Sequence, residues 1–98
     1  MALRVHLKLY GVFRSAAGTN VASLDMPEGT PTVRLAIAEL ASRPGCGELK
    51  RLILGESDDP RSNTLILLGE RDISALTGLD TELKEDDEIS LLPIAHGG

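Results

Sequence analysis

In the run Leu3-Arg4-Val5-His6-Leu7-Lys8-Leu9, every second residue is apolar. This two-residue period is typical of a β-strand with one face buried and the other exposed to water. Residues 11–20 contain two glycines and predict a turn. Residues 21–26 predict a second strand, antiparallel to the first. The chain is therefore expected to open with a β-hairpin.

A helix is expected next, beginning at Thr30-Pro31-Thr32. Either threonine can cap its N-terminus, and the proline suits a first helical turn because its missing N–H needs no partner there. Apolar residues at three- and four-residue spacing then form one stripe, which is expected to cover the sheet. They are Val33, Ala36, Ile37, Leu40 and Ala41. The stripe ends near Pro44-Gly45, and a second short helical segment is predicted over residues 48–54.

The second half of the chain predicts further strands. Residues 64–68 form a continuous apolar run too short for a helix, which is typical of a central strand. Residues 73–76 predict a weak short strand. Residues 88–92 predict a final strand in which Ile89 and Leu91 share one face.

These elements predict an α+β fold in which one main helix packs across a mixed sheet of four to five strands. The first and last strands lie side by side in the simplest sheet that buries both. They can run parallel because the helix lies between them in sequence. With 98 residues, the chain is expected to be a single domain over residues 1–98, ending in a flexible tail at about residues 94–98.

Composition argues against several kinds of partner. The net charge is -5 and the only aromatic residues are Tyr10 and Phe13, whereas nucleic-acid binders carry basic patches interleaved with aromatics. No segment has the length and apolarity of a membrane span, so neither nucleic acid nor membrane is expected as a partner and the cytoplasm is the expected location.

Cys46 is the only cysteine, so no metal site is expected, and the role of residues 45–63 stays open.

The residues of greatest chemical interest lie at the C-terminus. The final strand runs past Pro93 into small residues and ends at Gly97-Gly98. Because neither glycine has a Cβ, an extended tail can pass through a narrow enzyme channel and place the Gly98 carboxylate beside a nucleotide phosphate. A frayed end without function is the alternative interpretation. The agreement between strand order and terminus favours the functional tail.

Four segments resemble the sulfur-carrier branch of the ubiquitin-like superfamily, which has the β-grasp fold. They are Phe13 to Gly18, Thr32-Val33, Gly78 to Ile89 and Pro93 to Gly98, of which the last two are the specific ones. The branch includes the small subunit of molybdopterin synthase, the thiamin sulfur carrier and the ubiquitin-related modifier. The end His96-Gly97-Gly98 is more similar to the ubiquitin-related modifier than to the molybdopterin branch. The pathway that receives the sulfur therefore stays open.

The resemblance implies a carrier protein rather than an enzyme. It implies that a ubiquitin-activating-type enzyme adenylates the Gly98 carboxylate with ATP and Mg²⁺, and that a sulfur donor protein then forms a thiocarboxylate. No cofactor is expected to bind the chain itself. The sulfur would serve a molybdopterin, thiamin, tRNA-thiolation or cysteine pathway, and in the first case the large subunit of molybdopterin synthase would be a partner.

Two alternatives remain open at this point. The chain can be a protein modifier that is joined through Gly98 to lysines of target proteins, since a modifier uses the same adenylated tail. It can also be a β-grasp interaction module with no catalytic role, in which case removing the terminal glycines would change nothing.

A docking surface is expected beside the tail. Because the final strand alternates, Leu92 lies on the face opposite the helix, where either Leu65 and Leu67 or Ile66 and Leu68 must join it. Apolar residues clustered beside a reactive end are a natural partner site. The predicted site comprises the reacting residues Gly98 and Gly97 and the partner-binding residues His96, Ala95, Ile94, Pro93, Leu92, Leu65 and Leu67.

Overall fold

Five strands form a mixed sheet in the protein, whose structure is a computed structural model that describes residues 3–27 and 29–94. The strands are β1 (Leu3–Leu9), β2 (Val21–Met26), β3 (Thr64–Leu68), β4 (Arg71–Asp72) and β5 (Glu88–Pro93). They lie side by side in the order β2, β1, β5, β3, β4. This arrangement confirms the predicted mixed sheet, the predicted place of the last strand beside the first, and the interior place predicted for β3.

The pairing around β5 combines both directions. β1 runs antiparallel to β2 and parallel to β5, with Leu7 opposite Ile89. On its other side β5 runs antiparallel to β3, with Leu65 opposite Leu92. The helical crossover between the first and last strands allows them to run parallel, and the structure shows that they do.

The described part of the chain has three α-helices beside the sheet: α1 (Gly11–Ala17), α2 (Val33–Ala41) and α3 (Gly47–Leu54). Helix α2 is the predicted main helix. Its N-cap is Thr32, whose side-chain oxygen accepts a hydrogen bond from the Leu35 N–H at 3.3 Å. All five residues of the predicted apolar stripe are buried. Short 3₁₀ turns occur at Pro60–Ser62, Ile73–Ala75 and Gly78–Asp80.

Helix α1 corrects the prediction that residues 11–20 form only a turn. The helix begins directly after Tyr10 and ends at Gly18, which has φ +74° and donates its N–H to the Arg14 carbonyl at 3.0 Å. Its one fully buried residue is Phe13, which is 1% exposed. A seven-residue helix is too short to be stable alone, so burial of this side chain holds it in place.

The predicted strand over residues 73–76 is also wrong. The short edge strand is β4, and Ile73–Ala75 form a 3₁₀ turn. The turn closes because the Asp72 carboxylate accepts a hydrogen bond from the Ser74 N–H at 2.9 Å. Ile73 still enters the core, at 2% exposed.

The core lies between the helices and one face of the sheet. The inward residues of β1 and β5, Val5, Leu7, Leu9, Ile89 and Leu91, are at most 1% exposed and pack with Phe13 and the buried residues of α2 and α3. The opposite, outer face of the sheet carries mainly exposed or half-buried side chains. That outer face, and the end of β5, are therefore where a partner protein can reach the fold. In the residues that the structure describes, no helix is long and apolar enough to cross a membrane.

Candidate functional site

An apolar strip on the outer face consists of Leu65, Leu67 and Leu92. Leu65 is 38% exposed, and the other two side chains are half-buried. Leu65 and Leu92 lie directly opposite each other in the antiparallel pair of β3 and β5. Ile66 is 2% exposed in the core. Of the two pairs that the sequence left open for the outer face, the pair Leu65 and Leu67 is therefore the one that lies there. The binding role of the strip stays a prediction.

The other half of the outer face is polar and internally paired. Arg4 Nε and Asp25 Oδ1 form an ion pair at 2.9 Å, and Lys8 Nζ lies 3.3 Å from Glu88 Oε2. The Arg4 guanidinium donates hydrogen bonds to the Asp25 carboxylate and so lowers the pKa of that carboxyl below its ordinary value. Exposed pairs of this kind stabilise the fold little. They do keep this half hydrated, which leaves the apolar strip as the part of the face suited to a hydrophobic contact.

His6 lies within the same polar half. Its Nδ1 is 2.8 Å from the Ser23 hydroxyl, and its Nε2 is 3.0 Å from the Asp86 carboxylate. Both ring nitrogens therefore have neighbours on the chain itself. The imidazole belongs to the network that joins β1, β2 and the turn before β5.

The end of β5 is held in the sheet up to Ile94. The Ile94 N–H donates to the Asn63 carbonyl at 2.9 Å, and Pro93 lies opposite Thr64 of β3. The Ile94 side chain is 41% exposed. The predicted site residues Ala95, His96, Gly97 and Gly98 lie outside the described residues, so their roles stay predictions.

A cavity of about 250 Å³ opens beside the strip and the end of β5. Leu65 and Ile94 line its rim, together with Ile73 and the buried Thr64. The cavity adjoins two of the predicted partner-binding residues, and a side chain of a docked protein can enter it. Sequence patterns gave no sign of this cavity, because it depends on the 3₁₀ turn that replaces the predicted strand.

Gly11 lies beside Pro93 at the end of β5, and the sequence pattern did not predict this placement. It begins α1 and has φ +56°, a backbone conformation that favours glycine. Its missing side chain leaves room for the ring of Pro93 at the end of β5. The available signal was a glycine placed directly after a strand, which the sequence analysis assigned to an ordinary turn.

Metal ligands are not clustered in residues 3–27 and 29–94, where no group of three or more His, Cys, Asp or Glu side chains could hold an ion. Cys46 is a free, half-buried thiol packed against the core.

The model of the ThiS family matches residues 7–98. Small archaeal modifier protein 1 from Methanosarcina acetivorans is 30% identical, with a TM-score of 0.81 over 100% of this chain and 99% of that chain. A putative molybdopterin converting factor subunit 1 from Pyrococcus furiosus is 28% identical, with a TM-score of 0.74 over 95% of this chain and 99% of that one.

A more distant structure supports the fold alone. A chain of the Amycolatopsis orientalis BexX/CysO complex is 24% identical, with a TM-score of 0.67 over 96% of this chain and 99% of that chain. No curated protein sequence matches the chain. The family model spans nearly the whole sequence, and the sheet with its crossing helix matches the modifier from M. acetivorans from end to end. The protein therefore belongs to the ThiS family of ubiquitin-like β-grasp sulfur carriers.

Proposed function

We propose that the chain carries sulfur on its C-terminus. A ubiquitin-activating-type enzyme adenylates the Gly98 carboxylate with ATP and Mg²⁺ and releases pyrophosphate. Hydrosulfide, HS⁻, released by a sulfur donor protein then attacks the carbonyl carbon, displaces AMP and loses its proton, which leaves a thiocarboxylate. Activation comes first because a free carboxylate is a poor acyl donor, whereas AMP is a good leaving group.

The observation that supports this proposal is that one residue of the apolar strip, Leu92, lies on the same strand as the start of the tail. Leu92 lies in the strip, and Pro93 is the last residue of β5. The N–H of Ile94, the next residue, is still hydrogen-bonded to the Asn63 carbonyl. The four residues after Ile94 reach roughly 13 to 14 Å when fully extended. An enzyme that docks on the strip would therefore receive the Gly98 carboxylate no farther than this distance from Ile94.

The catalytic groups are proposed to belong to the partner. Members of this family are small carrier proteins rather than enzymes. Phosphate charge in the adenylation step needs Arg, Lys or Mg²⁺ nearby, and we place these on the activating enzyme. The net charge of -5 favours approach to a basic surface of such an enzyme.

Among the possible pathways, the similarity to the P. furiosus converting factor subunit favours molybdopterin synthesis as the destination of the sulfur. In that case the carrier would also bind the large subunit of molybdopterin synthase. Thiamin, tRNA-thiolation and cysteine pathways are the other candidates for the same thiocarboxylate.

A second candidate function is protein modification, which the 30% identity to small archaeal modifier protein 1 favours. The same activated Gly98 would then be transferred to lysines of target proteins. Immunoblots of cell extract distinguish the two functions. A ladder of high-mass conjugates that depends on Gly98 supports the modifier, and a single free band supports the carrier.

The test of the carrier function is the intact mass of the protein after incubation with ATP, Mg²⁺, a sulfur source and the cognate activating enzyme. We expect one terminal oxygen to be replaced by sulfur. A matched reaction without ATP should leave the mass unchanged. An unmodified terminus after incubation with an enzyme that is active on its own ATP-pyrophosphate exchange would contradict the proposal.

A second prediction concerns the strip. Leu92→Asp is expected to raise the KM for the carrier in adenylation by about tenfold or more, because it places a charge at the centre of a hydrophobic contact. The matched control is Val21→Asp, which changes an exposed apolar residue at the far edge of the same face, 40% exposed. Steady-state pyrophosphate release at varied carrier concentration gives KM, and urea unfolding checks stability. Equal KM values for the two variants would remove the strip from the docking surface.

A further inference from the structure

Gly11 approaches the start of the tail more closely than any residue with a side chain could. A Cβ added to Gly11 would lie 2.9 Å from Pro93 Cγ and 3.5 Å from Pro93 Cδ. Carbon atoms in favourable contact are about 3.5 to 4.0 Å apart, so the shorter distance requires one of the two residues to move. The ring of Pro93 thus occupies the place where a side chain of residue 11 would be.

The backbone shows which side of β5 this contact holds. The Leu91 carbonyl accepts a hydrogen bond from the Tyr10 N–H at 3.3 Å, and the Ile94 N–H donates to the Asn63 carbonyl at 2.9 Å. Backbone polar groups of successive strand residues point to alternate sides. The Pro93 nitrogen therefore points toward the β1 side, where proline has no hydrogen to donate. The contact with Gly11 lies on that side.

We propose that Gly11 is a positioning residue for activation of the tail. Its missing side chain lets the Pro93 ring sit against the start of α1, and this packing fixes the positions of Pro93 and Ile94, from which the chain continues to Gly98. The inference rests on the proposed function, because the direction of the tail matters only if an enzyme must receive the Gly98 carboxylate. Asn63 holds the β3 side of the strand end, and Gly11 holds the β1 side.

The effect should be on the chemical step rather than on docking. A shift at Pro93 moves Ile94, the point from which the tail continues, while the strip of Leu65, Leu67 and Leu92 stays in place. Misplacing a reacting group by about 1 Å can cost up to about 100-fold in rate. A change at Gly11 is therefore expected to lower kcat and to leave KM for the carrier nearly unchanged.

The experiment is adenylation of Gly11→Ala by the cognate activating enzyme, followed as pyrophosphate release at varied carrier concentration. We expect kcat to fall about tenfold, with KM within about twofold of the unmodified chain. The matched control is Gly18→Ala at the other end of α1. Gly18 has φ +74°, so alanine there meets comparable backbone strain, but no atom lies within 4 Å of an added Cβ. Its kcat should stay within about twofold.

Rescue separates a positioning role from general damage. Pro93→Ala removes the ring, so the double variant Gly11→Ala with Pro93→Ala should have the kcat of Pro93→Ala alone. The inference is overturned if Gly11→Ala behaves like Gly18→Ala, or if the double variant is as slow as Gly11→Ala.

A readout without the enzyme keeps this inference distinct from the proposed function. In NMR spectra of the free chain, Gly11→Ala should shift the Ile94 amide, and Gly18→Ala should not. Absence of that difference would overturn the positioning role whatever the activity. Absence of adenylation of the unmodified chain would instead overturn the proposed function.

Discussion

Deleting Gly98 is expected to reduce thiocarboxylate formation by at least about 100-fold, because reacting atoms must be brought to within about 3.5 Å in the right orientation. The deletion leaves Gly97 at the end and shortens the extended tail by roughly 3.3 to 3.6 Å. The sheet and the strip are unchanged, so the enzyme would bind the body normally and find the carboxylate out of reach. The measurement is intact mass after incubation with ATP, a sulfur source and the activating enzyme.

The variant Gly98→Ala and the affinity of the deletion variant for the enzyme provide two comparisons for this prediction. Gly98→Ala keeps the length of the tail and adds one Cβ, so it tests whether the enzyme channel admits only a terminus without side chains. Binding of the deletion variant to the activating enzyme without ATP, measured by calorimetry, should stay within about threefold of the unmodified chain, since area at the strip is unchanged. A deletion variant that is thiocarboxylated at the normal rate would contradict the assignment of Gly98 as the reacting residue.

The sequence was sufficient for the elements whose pattern is local. β1 has a strict two-residue period, and the stripe of α2 has three- and four-residue spacing, so both were predicted with their buried faces. Helix α1 was missed because its stability is not local. It has seven residues, its N-cap Tyr10 makes no side-chain cap bond, and it depends on burial of Phe13 against distant strands.

The residues of the candidate site were likewise predictable only where their pattern is local. The alternation of β5 placed Leu92 on the outer face. The choice between the two alternating pairs of apolar residues in β3 required the register with β5. The contact between Gly11 and Pro93 joins opposite ends of the chain, and no pattern within either segment contains it. Pairings of this kind follow from the sheet order, which places β1 and β5 side by side.

The largest expected effect on stability is that of Phe13→Ala, which should lower the free energy of unfolding by about 3 to 5 kcal/mol. The phenylalanine is 1% exposed and is the only one in the chain, within a core that is otherwise aliphatic. Removing its ring leaves a cavity between α1 and the sheet that small neighbours cannot fill. Domains of this kind are stable by only about 5 to 15 kcal/mol, so the variant should unfold at much lower urea concentration.

Val12→Ala is the matched control, since Val12 precedes Phe13 in the same helix and is 52% exposed. Its effect should stay within about 0.5 kcal/mol. If the two variants are equally stable, α1 is not anchored by its buried ring, and local interactions must hold it instead. The difference also bears on function, because α1 begins at Gly11 and carries the contact with Pro93. A helix that loses its anchor in the core should also release the start of the tail, so Phe13→Ala should lower kcat for adenylation at temperatures where the chain is still folded.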